Sequence, residues 1–123
     1  MRDEWFTVDD RMVRLTHHVR PEVGKPYFHS TRYADVEKIA YGIGELTDRF
    51  GVFTLEQLAE NEFGLSDSGR PRYTSRVAVV MAFARETGLI EKRGRDGHAA
   101  RDDYDSSDLM LEFSGFNFRE KRA

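Results

Sequence analysis

Val52-Phe53-Thr54-Leu55-Glu56-Gln57-Leu58-Ala59 and, further on, Val77-Ala78-Val79-Val80-Met81-Ala82-Phe83-Ala84-Arg85-Glu86-Thr87-Gly88-Leu89-Ile90-Glu91-Lys92 are the stretches on which the fold turns. In the first, Val52-Phe53 is a very short extended piece. Thr54-Leu55-Glu56-Gln57 has the capping-box form, in which side chains at the first and last positions satisfy each other's backbone N–H. A helix therefore starts at Leu55, with Leu55, Leu58, Ala59 and Phe63 on its buried side and Gly64 at its end. Leu65 to Tyr73 carries Ser, Asp, Gly and Pro, hence a turn or loop. In the second stretch Val77, Val80, Met81 and Ala84 form the stripe of a helix with one buried face, capped by Thr74 or Ser75 and closed by Gly88. Leu89 to Arg93 leaves it as a strand.

Upstream, Val36, Ile39, Ala40, Ile43, Leu46 and Phe50 recur at helical spacing, with Ser30 or Thr31 placed to cap and Gly51 to terminate. Gly42 and Gly44 each cost about 1 kcal/mol against alanine inside a helix, so they mark close approach by another element. Residues 1–30 read as an extended segment. Trp5-Phe6-Thr7-Val8 is strand-like, Asp9-Asp10 suits a turn, and Val13, Leu15, His17 and Val19 fall at period two. Pro21, Gly24 and Pro26 break the pattern before Tyr27-Phe28. These pieces either pair with one another, lie across the helices, or meet a second copy of the chain. Downstream, a polar loop from Gly94 to Asp108 leads to Leu109-Met110-Leu111-Glu112-Phe113, read as a returning strand with Leu109, Leu111 and Phe113 on one face. Residues 114–123 form a fraying tail from which Phe116 and Phe118 are free to dock.

From Tyr33 to Phe113 the order is helix, short strand, capped helix, turn, helix, strand, loop, strand. Carried by the two quoted stretches, this order resembles the winged helix-turn-helix superfamily. The resemblance implies an α+β fold, with a three-helix core over 31–113, a C-terminal β-hairpin wing and the extended segment 1–30. It also implies double-stranded DNA as partner, and a transcriptional regulator or accessory factor as role. The family places its third helix in the major groove and its wing on the backbone. Matched by position, the contacts are Arg70, Arg72, Tyr73, Thr74, Ser75 and Arg76 at the helix start, with Lys92, Arg93, Arg95 and Arg101 on the wing. Arg72 and Arg76 are the expected base readers, since a guanidinium bonds guanine edges bidentately.

Charge agrees in part. The 123-residue chain carries −3. Between Arg70 and Arg101, however, eight basic residues face only Glu86, Glu91 and Asp96, a local excess of five, so the remainder carries −8. A basic patch on an acidic body suits a polyanion. Two features fit less well. Opposite its core stripe the third helix shows Ala78, Val79, Ala82 and Glu86, where base readers usually carry polar groups. The Ala78/Val79/Ala82 face suits a protein partner equally, which makes a protein-interaction module the alternative function. The second is the acidic run Asp102-Asp103-Tyr104-Asp105-Ser106-Ser107-Asp108, which is either a solvated loop or a shield over neighbouring arginines.

Other classes have little support. At 39% apolar and 33% charged residues the composition is too greasy for disorder and too polar for a membrane protein, and no apolar run approaches 18 residues. With no cysteine, disulfides and thiolate sites are excluded. The charged start Met1-Arg2-Asp3-Glu4 is unlike a secretory leader, so a cytoplasmic location is expected. Counted from Asp103, a calcium loop would need glycine at Asp108 and glutamate at Ser114, so the expectation is no metal. His17 and His18 point to opposite faces of a strand, and neither a nucleophile elbow nor a phosphate loop occurs. No cofactor and no enzymatic activity are expected. Trp5, Phe6, Tyr27 and Phe28 fill a core or pair two protomers in a homodimer.

Overall fold

Alternation within three short segments before residue 33 builds a sheet. The computed structural model describes residues 2–9 and 13–122, with side chains as far as 116. Strands β1 (Asp3–Asp9), β2 (Arg14–Arg20) and β3 (Tyr27–Arg32) form an antiparallel meander. Its register pairs Phe6 with His17 and Val8 with Leu15. Period two sends Phe6, Val8, Leu15 and Val19 to a buried inner face. Thus the early strands pair with each other and also pack on the helices. Phe6 belongs to the core, edge-on to Phe83 at 5.4 Å, and so is not a free dimer contact. Of the expected Asp9-Asp10 turn, Asp10 lies outside the described residues.

Helix α1 (Tyr33–Phe50) buries Val36, Ile39, Ala40, Ile43 and Leu46 as its spacing requires. Phe50, expected on that stripe, is exposed in the last turn beneath the Arg49 guanidinium. Nor do Ser30 and Thr31 cap the helix. Both belong to β3, where Ser30 bonds Thr16 and Thr31 donates to the Arg76 carbonyl, so the cap position falls to Arg32. Helix α2 (Leu55–Phe63) has the capping box read from its sequence, with Gln57 N–H 3.1 Å from Thr54 Oγ1 and Thr54 N–H 2.8 Å from Gln57 Oε1. Gly42 sits where α1 meets α2: a Cβ there would lie 2.9 Å from Leu58 Cδ1. Gly44 faces the ring of Tyr104, whose hydroxyl donates to the Ala40 carbonyl.

Helix α3 (Thr74–Glu86) starts without a side-chain cap, contrary to the expectation for Thr74 or Ser75. The chain enters through Tyr73 in the left-handed region (φ 56°), its ring held between Phe63 and Arg76, so Thr74 and Ser75 already lie in the first turn. Besides Val77, Val80, Met81 and Ala84, it buries Val79 and Phe83. The single-stripe reading assumed one core side; the meander supplies a second.

Strands β4 (Ile90–Arg93) and β5 (Gly97–Ala100) form a hairpin turning through Gly94 (φ 73°). Phe53 extends it by an antiparallel bridge to His98, with N–H···O distances of 2.8 and 2.9 Å. The returning strand is therefore β5. The stretch expected to be that strand, Leu109 to Phe113, lies in helix α4 (Ser106–Arg122). The reason is local. Asp105 accepts from Ser107 N–H at 3.1 Å while its own N–H donates to Asp108 Oδ2 at 2.9 Å, a reciprocal cap. Leu109 and Phe113, four apart, are then buried together, and Leu111 turns to solvent. The helix continues past 113, and Phe116 packs edge-on against Phe83 at 5.7 Å; the side chain of Phe118 lies outside the described residues.

The fold is α+β, with four helices and two small antiparallel sheets among the described residues. Its order departs from the expected one by the meander before α1 and the helix after the hairpin. Among the described residues no helix is long and apolar enough to cross a membrane.

Candidate nucleic-acid interface

Three elements converge at the hairpin. Ile90 anchors β4 in the core and Gly97 lets β5 lie close, since a Cβ there would sit 2.5 Å from the Arg93 carbonyl oxygen and overlap Val52. The Phe53 bridge brings the start of α2 alongside. Between them opens a cleft of about 740 Å³, lined by Thr54, Leu55, Glu56, Arg85, Lys92, Arg95, Asp96 and His98. Among the described residues Arg85, Lys92 and Arg95 make no ion pair, although Glu56 and Asp96 share the cleft. The capping box binds the Gln57 N–H, so those of Leu55 and Glu56 remain at the positive end of α2.

His98 organises this wall. Its Nε2 lies 3.0 Å from Arg85 Nη1, and a guanidinium only donates, so Nε2 accepts and the proton rides on Nδ1. That Nδ1 is buried without a partner among the described residues. Burial, reinforced by Arg85 and Lys92, holds the imidazole below its ordinary pKa, so the ring is neutral at neutral pH. A neutral ring can keep Arg85 in place; an imidazolium could not.

The expected contact residues divide into three groups. Arg70 and Arg72 stand on the α2–α3 loop, which is pinned by a Leu65–Pro71 bridge and by Arg72 N–H to the Gly64 carbonyl at 3.1 Å. Both are exposed and make no ion pair among the described residues, and Tyr73, Thr74 and Ser75 follow at the base of α3. Lys92 and Arg95 stand on the hairpin, separated from that group by α3, about 20 Å long at 1.5 Å per residue. The third group is engaged. Arg76 pairs with Asp35 at 3.4 Å and lies over Tyr73, Arg93 pairs with Glu91, and Arg101 reaches Asp103 at 3.8 Å and the Gly88 carbonyl at 3.2 Å. Arg76, expected as a base reader, thus ties α3 to α1.

Arg85 joins the contact residues expected from the sequence. Its signal is a cation one turn after Met81, on the flank of α3 between the apolar stripe and Ala82. On the Ala78/Val79/Ala82 face, Val79 is buried and both alanines are half-buried where α3 packs against the chain's own sheet. Nor does the acidic run act as one shield. Asp103 neutralises Arg101, whereas Asp105 and Asp108 cap α4, and hydrogen bonds from Ser107 hold the Asp105 carboxyl below its ordinary range. No protein-family model, curated protein or solved structure matches this chain.

Proposed function

We propose that the chain is a winged-helix-like domain that binds double-stranded DNA through the phosphate backbone, as a regulatory or accessory factor. The observation that carries this reading is the trio Arg85, Lys92 and Arg95, without an ion pair among the described residues and gathered at the start of α2. The order α1, Phe53 bridge, α2, α3, hairpin supports the winged-helix part. Arg70 and Arg72 add a second cationic patch at the far end of α3. Only an extended polyanion engages both patches; a small anion reaches one.

Covered by its own sheet, α3 cannot lay its middle into a major groove. Backbone contacts position a protein without reading sequence, so binding should vary little between duplexes. Each neutralised phosphate contributes about −0.9 to the slope of log affinity against log salt. Three to five contacts then weaken binding roughly 40- to 500-fold between 50 and 200 mM salt. Anisotropy titrations with random and AT-rich duplexes at those two concentrations test this. Comparable affinities with that salt loss are expected; no binding at 50 mM refutes it.

A further inference from the structure

The outer face of the meander carries a different pattern. Register places Trp5, His18 and Phe28 side by side across β1, β2 and β3. Trp5 and His18 stack at 5.1 Å and 5° from parallel, and His18 leans on Phe28 at 6.1 Å. Thr7 Oγ1, 2.8 Å from His18 Nε2, fixes the middle ring. The row ends in solvent, with Trp5 40% and Phe28 65% exposed.

Arginines flank the rings. Arg20 lies over Trp5 at 5.6 Å, and Arg14 and Arg32 oppose each other across β2 and β3. Like charges directly opposite destabilise a sheet unless an anion comes between them. None of the three makes an ion pair among the described residues, and Arg14 Nε is buried without an acceptor. The register also sets Asp3 opposite Arg20 and Asp9 opposite Arg14, so three arginines against two carboxylates leave this face net positive by one. Arg14 and Arg20 are six residues apart, about 20 Å along the strand, which a few nucleotides span.

From this arrangement we infer that the outer sheet face binds single-stranded nucleic acid, with unpaired bases extending the ring row at Phe28 and phosphates meeting Arg14, Arg20 and Arg32. Stacking tolerates any base, and arginine tracks any backbone. A second copy fits less well, because a two-fold pairing of this face brings like charges together. The ring row lies on the meander and Lys92 and Arg95 on the hairpin; Arg85, which lines the duplex cleft, also borders a pocket with Trp5.

Trp5, the chain's one tryptophan, reports on the face directly. The full chain is titrated with dT and U dodecamers while Trp5 emission is followed. Saturable quenching is expected in at least one arm, and the arms assign the strand: equal affinities mean stacking plus phosphate, and a U preference means RNA. Phe28→Ala should weaken binding roughly 5- to 150-fold, the worth of one stacked base. Arg14→Gln with Arg32→Gln keeps the rings and should lower the salt slope by about 1.4. Lys92→Ala with Arg95→Ala should leave it unchanged. Absence of quenching, indifference to the Phe28 and arginine changes, or loss on mutating the cleft alone overturns the inference. So does a change in sedimentation on Phe28→Ala without oligonucleotide binding, which would give the face to a second copy.

Discussion

His98 shows how one side chain couples the cleft to stability. In the folded chain the ring resists protonation because it is buried beside Arg85 and Lys92; His17, buried against Phe6, is lowered as well, with burial outweighing its Glu4 contact. Unfolded, both titrate near 6.5. As pH falls below that value the unfolded chain takes up protons that the folded chain refuses, so stability drops. Urea unfolding at pH 7.5 and 5.0 should give a lower midpoint at pH 5.0, and His98→Gln should narrow the gap. An equal gap in the variant would remove His98 from the account.

At the scale of elements, the hairpin and α4 make separate demands. Gly97→Ala presses a methyl against the Arg93 carbonyl, which belongs to the paired strand and cannot swing aside. It should cost about 1–3 kcal/mol in urea unfolding, the usual penalty of overpacking, and weaken duplex binding with it. Asp105→Ala should lower the unfolding midpoint by removing the α4 cap, whereas Asp103→Ala, on an exposed side chain, should leave it nearly unchanged. The same elements show what was legible. The α1 stripe from Val36 to Leu46, the Thr54–Gln57 box and the glycines at 51 and 64 depend on neighbours a few residues away, and these readings match the folded chain. Leu109-Met110-Leu111-Glu112-Phe113 is too short to separate period two from helical spacing, and in sequence the deciding Asp105–Asp108 cap looks like any run of acids. The second buried side of α3 depends on strands forty and more residues away, as the Thr31–Arg76 bond across 45 residues shows. Likewise the Arg76–Asp35 tie joins residues 41 apart. Arg85 reaches the cleft wall through His98, 13 residues on, so the sequence pattern points to Lys92 and Arg95 but not to Arg85.

Across the whole molecule, folding sorts cations into engaged and available ones on a body of net charge −3. Arg76, Arg93 and Arg101 hold structure or neutralise acids; Arg85, Lys92 and Arg95 share a cleft with the start of α2. A net negative chain that binds DNA must do so through such a local field, and salt dependence counts the charges that take part. The most direct measurement is the slope of log affinity against log salt for random duplex, in the natural chain and in Lys92→Ala with Arg95→Ala. The slope should fall by about 1.8, two contacts at about 0.9 each, with unfolding stability unchanged. An identical slope in both proteins would contradict a phosphate seat at the hairpin.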